Sequence, residues 1–321
     1  MKYCKKNIGC KEEVQRFIDE CEADFEARLD ASVARACEDR TIKVITLSGP
    51  TCSGKTTAAK KLIGELEAIG KKVHIVSIDD FYRDKLRIPK KDGKPDLDSV
   101  DAIDLPEFER FVGNIFAGEP AALPRFDFIS GCREGFEVIY PDDDDMFLFE
   151  GIQAVYPEIT SLLRRVDRRS IFICVEQGID VGGSVFMPND IRLIRRIVRD
   201  HNFRGASPEY TFFLWDGVRE NEEKNILPYA DACDIRIDSV MPYEVNLMVK
   251  YLRPLLETVE EFSPHRADAI RLLDMTEGIV SFDSYMIPDR SLYYEFIKRK
   301  NTVKANKPKA QDVKRSNYRG R

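Results

Sequence analysis

The chain has 321 residues, 43% of them hydrophobic and 33% charged, enough apolar material for one large α/β domain with additions or for two average domains. Collagen-like, low-complexity and disordered classes are excluded for most of its length. The formal net charge is −6, but residues 298–321 hold ten Lys and Arg against Asp312 alone, so the tail carries +9 and the remainder −15; so acidic a body excludes a general nucleic-acid binder and leaves only weak phosphate contact through the tail.

From the N-terminus, residues 1–10 carry lysines with no apolar stretch behind them, so they do not read as a secretory signal. Apolar residues at three- and four-residue spacing (Val14, Phe17, Ile18, Cys21, Phe25, Leu29, Val33) predict one amphipathic helix over 11–38. The period then changes to a β-rich run at 42–47 that stops at Ser48-Gly49-Pro50.

Gly49-Pro50-Thr51-Cys52-Ser53-Gly54-Lys55-Thr56 fits the phosphate-loop pattern G-x-x-x-x-G-K-[ST] at every fixed position. Its glycines let backbone N–H groups turn around phosphate oxygens. Lys55 supplies a charge for the β- and γ-phosphates, and the Thr56 hydroxyl suits Mg²⁺. The helix opening at Thr56 aims its positive end at the same anion. The ATP site is therefore placed on Gly49, Pro50, Thr51, Cys52, Ser53, Gly54, Lys55, Thr56 and Thr57, with Cys52 read as a small filler.

A helix over 56–69 and a strand over 73–78 follow, and Asp79-Asp80 then stand at the strand's carboxyl end, the edge where open α/β sheets bind ligands. A carboxylate there can take the proton of an alcohol attacking the γ-phosphate. Capping of the next turn is the alternative, stronger for Asp80. Asp104-Leu105-Pro106-Glu107 is a capping box, residues 142–145 read as a solvated turn, and the strand at 146–149 ends in Glu150, placed to hold Mg²⁺ through water.

Further strands are predicted at 171–175 and 233–237. In the helix between them, Arg192, Arg195, Arg196 and Arg199 fall within an arc of about 100°, opposite Ile191, Leu193, Ile194, Ile197 and Val198. Four guanidinium groups on one face suit a lid over transferring phosphates. A salt-bridged face is the competing reading, disfavoured because few acids stand at matching helical spacing. Helical patterns cover 242–261 and 264–276. Apolar strands alternating with helices predict a P-loop NTPase fold of the α/β class, a doubly wound, mainly parallel sheet with helices on both faces. The expected organisation is an N-terminal helix over 1–40, a P-loop kinase domain over 41–262, a C-terminal helical extension over 263–297 and a basic, disordered tail over 298–321. Eight cysteines without a C-x-x-C pair argue against zinc or disulfides and for a cytoplasmic protein.

The segments GPTCSGKT, SIDDFYRD, LDSVDAIDLPEF, LPRFDFISGCR, FLFEGI and IRLIRRIVRDHNFRG resemble, in that order, the uridine kinase branch of the phosphoribulokinase/uridine kinase family, and residues 215–228 look like its bacterial nucleoside kinases. The resemblance covers 41–297. It implies ATP- and Mg²⁺-dependent phosphorylation of a nucleoside 5′-hydroxyl, that of uridine or a related ribonucleoside, by a homo-oligomeric salvage enzyme without membrane contact. Carried over by position, Asp79 is the general base, Lys55 and the loop amides hold the ATP phosphates, and Thr56 and Glu150 hold Mg²⁺. Asp98 and Arg192 bind the ribose hydroxyls. Arg195 and Arg199 close on the phosphates, with Arg204 behind them, and Tyr82 and Phe128 line the nucleoside pocket. Phe126 and Gly131 replace the Tyr and His that the family places around the base, which removes groups that discriminate bases by hydrogen bonding. A kinase of another small alcohol (a sugar phosphate, glycerate or pantothenate) is the nearest rival reading. A non-catalytic nucleotide-binding regulator with an RNA-binding tail is the second.

Overall fold

The computed structural model describes residues 1–4, 9–39, 41–91, 94–97, 99–127, 130–164 and 167–299. Asp98, Phe128 and the basic tail from residue 300 onward lie outside them. In chain order the elements are β1 (Lys2–Cys4), α1 (Lys11–Ala36), β2 (Val44–Ser48), α2 (Lys55–Ala68), β3 (Val73–Ser77), the two-residue pieces β4 (Lys90–Lys91) and β5 (Lys94–Pro95), α3 (Leu105–Ala117), β6 (Ala121–Asp127), β7 (Cys132–Ile139), β8 (Met146–Glu150) and α4 (Pro157–Leu162). Then come β9 (Arg168–Cys174), β10 (Ile179–Val181), β11 (Ser184–Phe186), α5 (Pro188–Arg204), α6 (Pro208–Asn221), α7 (Leu227–Ala230), β12 (Ile235–Asp238), α8 (Glu244–Glu257) and α9 (Arg266–Met275).

Five strands form the central sheet in the order β12-β9-β2-β8-β3, every neighbouring pair parallel. β2 is buried along its whole length, as expected of a strand covered on both faces. This is the P-loop NTPase α/β arrangement. Leu47 and Ser77 both register with Glu150, so the loops after β2, β3 and β8 leave the sheet at one edge. That register places the phosphate loop, the Asp79 turn and Glu150 side by side.

Two apolar cores lie on opposite faces of the sheet. One holds α3, Phe81 and the inner side of the β6–β7 hairpin. The other joins α2, α5 and α8 to the buried stripe of α1 (Ile18, Phe25, Leu29) and to Leu292, Phe296 and Ile297. Lys61 on α2 bridges to Glu26 and Asp30 of α1 and to Glu65 of its own helix. Asp104 caps α3 by accepting from Glu107 N. Asp145 corrects the reading of 142–145 as a solvated turn: it is 3% exposed and accepts from Lys72 Nζ at 2.9 Å, with His74 Nε2 2.6 Å away. Among the described residues no helix is long and apolar enough to cross a membrane.

Candidate active site

The sheet edge opens into a cavity of about 1010 Å³ lined by Thr51–Thr56 of the phosphate loop, Asp79, Tyr82, Glu150, Arg196, Arg199 and Arg204, among others. Lys55 Nζ donates to the Gly49 and Pro50 carbonyls at 2.9 and 3.2 Å. Gly49 has no room for a side chain: a Cβ there would stand 2.0 Å from the Ile173 carbonyl oxygen. Gly54 and Cys52 both adopt the left-handed region (φ +99° and +58°), which costs little for glycine and needs outside support at cysteine.

Arg195 provides that support, and here the lid reading is corrected. Arg195 is 0% exposed. Its Nε and Nη2 hold Glu244 bidentately at 2.8 and 2.7 Å, Nη1 donates to Cys52 O and Ser239 Oγ (both 3.1 Å), and Nη2 also reaches Ser239 O at 3.0 Å. All five guanidinium donors are therefore used within the protein, and Arg195 acts as a positioning residue beneath the loop. Arg192 is also engaged within the protein: it holds Glu222 bidentately at 2.6 and 2.8 Å, bonds Asn189, reaches Thr51 O at 3.4 Å and lies over Trp215. Helical spacing could not show this, because Glu222 and Glu244 come from other elements. A π-helical turn at Glu222–Ile226 sets Glu222 against α5.

Asp200 gathers the arginines that do line the cavity. It pairs with Arg196 at 3.3 Å, Arg199 at 2.7 Å and, more loosely, Arg204 at 3.6 Å. Arg199 Nη1 also comes within 3.4 Å of Thr51 Oγ1. Three cations around one carboxylate leave a net positive wall facing the phosphate loop.

Opposite that wall, Asp79 sits on a turn clamped from two sides. Arg133 of β7 donates to the Phe81 and Tyr82 carbonyls and pairs with Glu107, while Asp80 accepts from Phe126 N at 3.0 Å. Asp80 thus fills the structural role and Asp79 faces the cavity. Burial pushes the Asp79 carboxyl above its ordinary range, against hydrogen bonds from Tyr82 and Gln153 and the charge of Lys55. Gln153, fully buried, was not singled out from the sequence. Its Nε2 lies 2.7 Å from Tyr82 Oη, which in turn lies 2.8 Å from Leu97 O. Asp79 Oδ1 and Gln153 Oε1 are buried without hydrogen-bond partners. Glu150 is pushed up to about 7, chiefly by burial and then by Asp79, Glu295 and Asp80, with Lys55 opposing. A carboxylate so crowded by others gains from a dication, so the donor set of Thr56 and Glu150 fits Mg²⁺, which takes few protein ligands.

At the amino end of α2, Thr57 N and Oγ1 each lie 2.6 Å from Glu295 Oε1, and Glu295 lines the same cavity. No sequence signal marked this acid, which is 238 positions away.

Residues 44–246 match the profile of the Phosphoribulokinase / Uridine kinase family. The chain belongs to this family. It is an ATP-dependent kinase. Among its relatives, a uridine kinase of Lactobacillus helveticus is 30% identical over 165 residues, 51% of this chain and 70% of that protein. Uridine-cytidine kinase B of Dictyostelium discoideum is 29% identical over 228 residues, 68% of this chain and 84% of that protein. Among solved structures, one described as a possible uridine kinase from Bacillus stearothermophilus has 18% identity and a TM-score of 0.46 over 67% of this chain and all of that one. A D-glycerate 3-kinase from Cryptococcus neoformans has 15% identity and a TM-score of 0.42 over 68% of this chain and 96% of that one. The segments that complete this family member, α1 and residues 284–297, lie outside the matched range.

Proposed function

We propose that this kinase transfers the γ-phosphoryl group of ATP to the 5′-hydroxyl of a ribonucleoside, uridine or a close relative, as a cytoplasmic salvage enzyme. The observation that carries the reading is Asp79, a carboxylate with an unpartnered oxygen lining the same cavity as the phosphate loop. The names of the two relatives support it. The 5′-oxygen attacks Pγ as its proton passes to Asp79, the bond from Pγ to the β,γ-bridging oxygen breaks, and ADP leaves. The loop amides and Lys55 hold the phosphates, and Arg199, with Arg196 and Arg204, offsets the charge that spreads over the transferring group. Thr56 and Glu150 would hold Mg²⁺, which neutralises phosphate charge when bound. Tyr82 shapes the acceptor side; Asp98 and Phe128 are assigned to ribose and base by family position alone. Residues 41–262 form the kinase domain, completed by 263–297.

The second reading, a kinase of another small alcohol, is favoured by the base side, where Phe126 packs edge-on against Tyr82 and Gly131 lies against Lys85. Measuring ADP release with nucleosides, glycerate, pantothenate and sugar phosphates decides between them. Ribonucleosides are expected to give the highest kcat/KM; a non-nucleoside alcohol in first place would reject the proposal, and no acceptor-dependent ADP at all would reject both.

Gln153 offers a finer check. Its hydrogen bond favours ionised Asp79, so Gln153→Leu raises the Asp79 pKa further. Activity that needs ionised Asp79 is lost as pH falls through that pKa, so the acid limb of the kcat/KM profile moves to higher pH. At neutral pH kcat/KM is expected to drop about tenfold, the order of one charge-assisted hydrogen bond. An unmoved limb removes Gln153 from the mechanism.

A further inference from the structure

The amino end of α2 is the phosphate cradle, yet the helix has no acid in its first turn and no side-chain cap on Gly54. An unsatisfied helix N-terminus attracts an anion. Here the chain supplies one. Glu295 accepts from both Thr57 N and Thr57 Oγ1, on the same cavity wall as Lys55 and Thr56. Three contacts hold it there. Leu292 packs so closely on Gly54 that a Cβ on that glycine would meet Leu292 Cδ1 at 2.7 Å. Tyr293 donates to Glu244 Oε2 at 2.9 Å. The Phe296 carbonyl accepts from Asn202 of α5 at 3.0 Å, while its ring lies under Arg195.

We infer that the C-terminal segment Leu292–Glu295 contributes a residue to the nucleotide site: Glu295 occupies the seat of a nucleotide phosphate on α2 and competes with ATP for it. Thr57 is the third residue of α2 after Gly54, so its backbone N–H is one of the free donors at the helix end that meets the nucleotide phosphates, and one N–H cannot serve a carboxylate and a phosphate with full strength at the same time. ATP must displace the Glu295 side chain, so the segment sets nucleotide affinity from outside the family-matched range. The inference rests on the nucleotide half of the proposed function and is independent of the acceptor.

The test is equilibrium binding to the full chain without acceptor, by calorimetry with ATP, tripolyphosphate and adenosine as probes. Glu295→Ala and the near-isosteric Glu295→Gln are each expected to bind ATP and tripolyphosphate about tenfold tighter than the wild type, the order of one charge at a helix terminus, with adenosine unchanged. Glu295→Gln decides the matter should the alanine variant fail to fold. ATP affinity that is unchanged or weaker in the glutamine variant overturns the inference. So does a gain shared equally by adenosine, which would place the effect at the base. An inactive acceptor screen leaves these affinities untouched, so the two readings fail separately.

Discussion

Asp79→Asn is expected to lower turnover by about 10²- to 10⁴-fold, the contribution of a positioned general base, while ATP affinity stays near the wild-type value. The geometry separates the two effects. The hydrogen bonds of the Asp79 turn run to Arg133, Phe126 and the Tyr82–Gln153 pair, and those of the phosphate loop run to Arg192, Arg195, Arg199 and its own carbonyls. The asparagine amide fills the same volume and keeps a hydrogen-bonding group toward Tyr82 and Gln153, but it cannot take a proton. Steady-state kinetics with uridine, alongside an ATP titration, reads both quantities. Near wild-type turnover would remove Asp79 from the chemistry, and a loss confined to ATP affinity would assign it to nucleotide binding.

The second large effect concerns stability. Glu244→Ala leaves the Arg195 guanidinium fully buried and uncompensated, and is expected to destabilise the fold by about 3–5 kcal/mol in urea unfolding. Tyr293 loses its acceptor at the same time. The pair's work is separable from its cost. Arg195→Met with Glu244→Leu replaces both charges by apolar groups and is expected to recover most of the stability, yet to bind ATP more weakly than the wild type, because the Cys52 carbonyl then loses its anchor while its φ stays at +58°. Wild-type ATP affinity in this double variant would show that the loop holds its shape unaided.

What was legible in the sequence was whatever local spacing encodes. The phosphate loop is a contiguous string between a strand and a helix, and Asp79 and Glu150 follow directly from strands whose ends can be read from their apolar runs. The α1 stripe has a clean helical period, and its predicted 11–38 span differs only at the end from Lys11–Ala36. The arginine helix shows where local reading stops. Its four cations were visible, but whether each faces a ligand or a carboxylate depends on Glu222 and Glu244, brought in by tertiary packing 30 and 49 positions away. Arg199 lines the cavity and Arg195 does not, although both lie on the same helical arc. Glu295 and Gln153 were invisible for a related reason: a single acid or amide in a short irregular segment carries no periodicity, and only the folded register gives it a partner.

One contact bears on how the chain comes together. Glu22 of α1 accepts from Ser291 Oγ at 2.6 Å and also from Tyr243 Oη, so segments 269 positions apart close on each other. Until residue 291 has been made, Glu22 lacks its Ser291 partner. Pairings this distant in sequence form late and slowly. The packing of α1 is therefore complete only when residues 291–297 have folded back onto it.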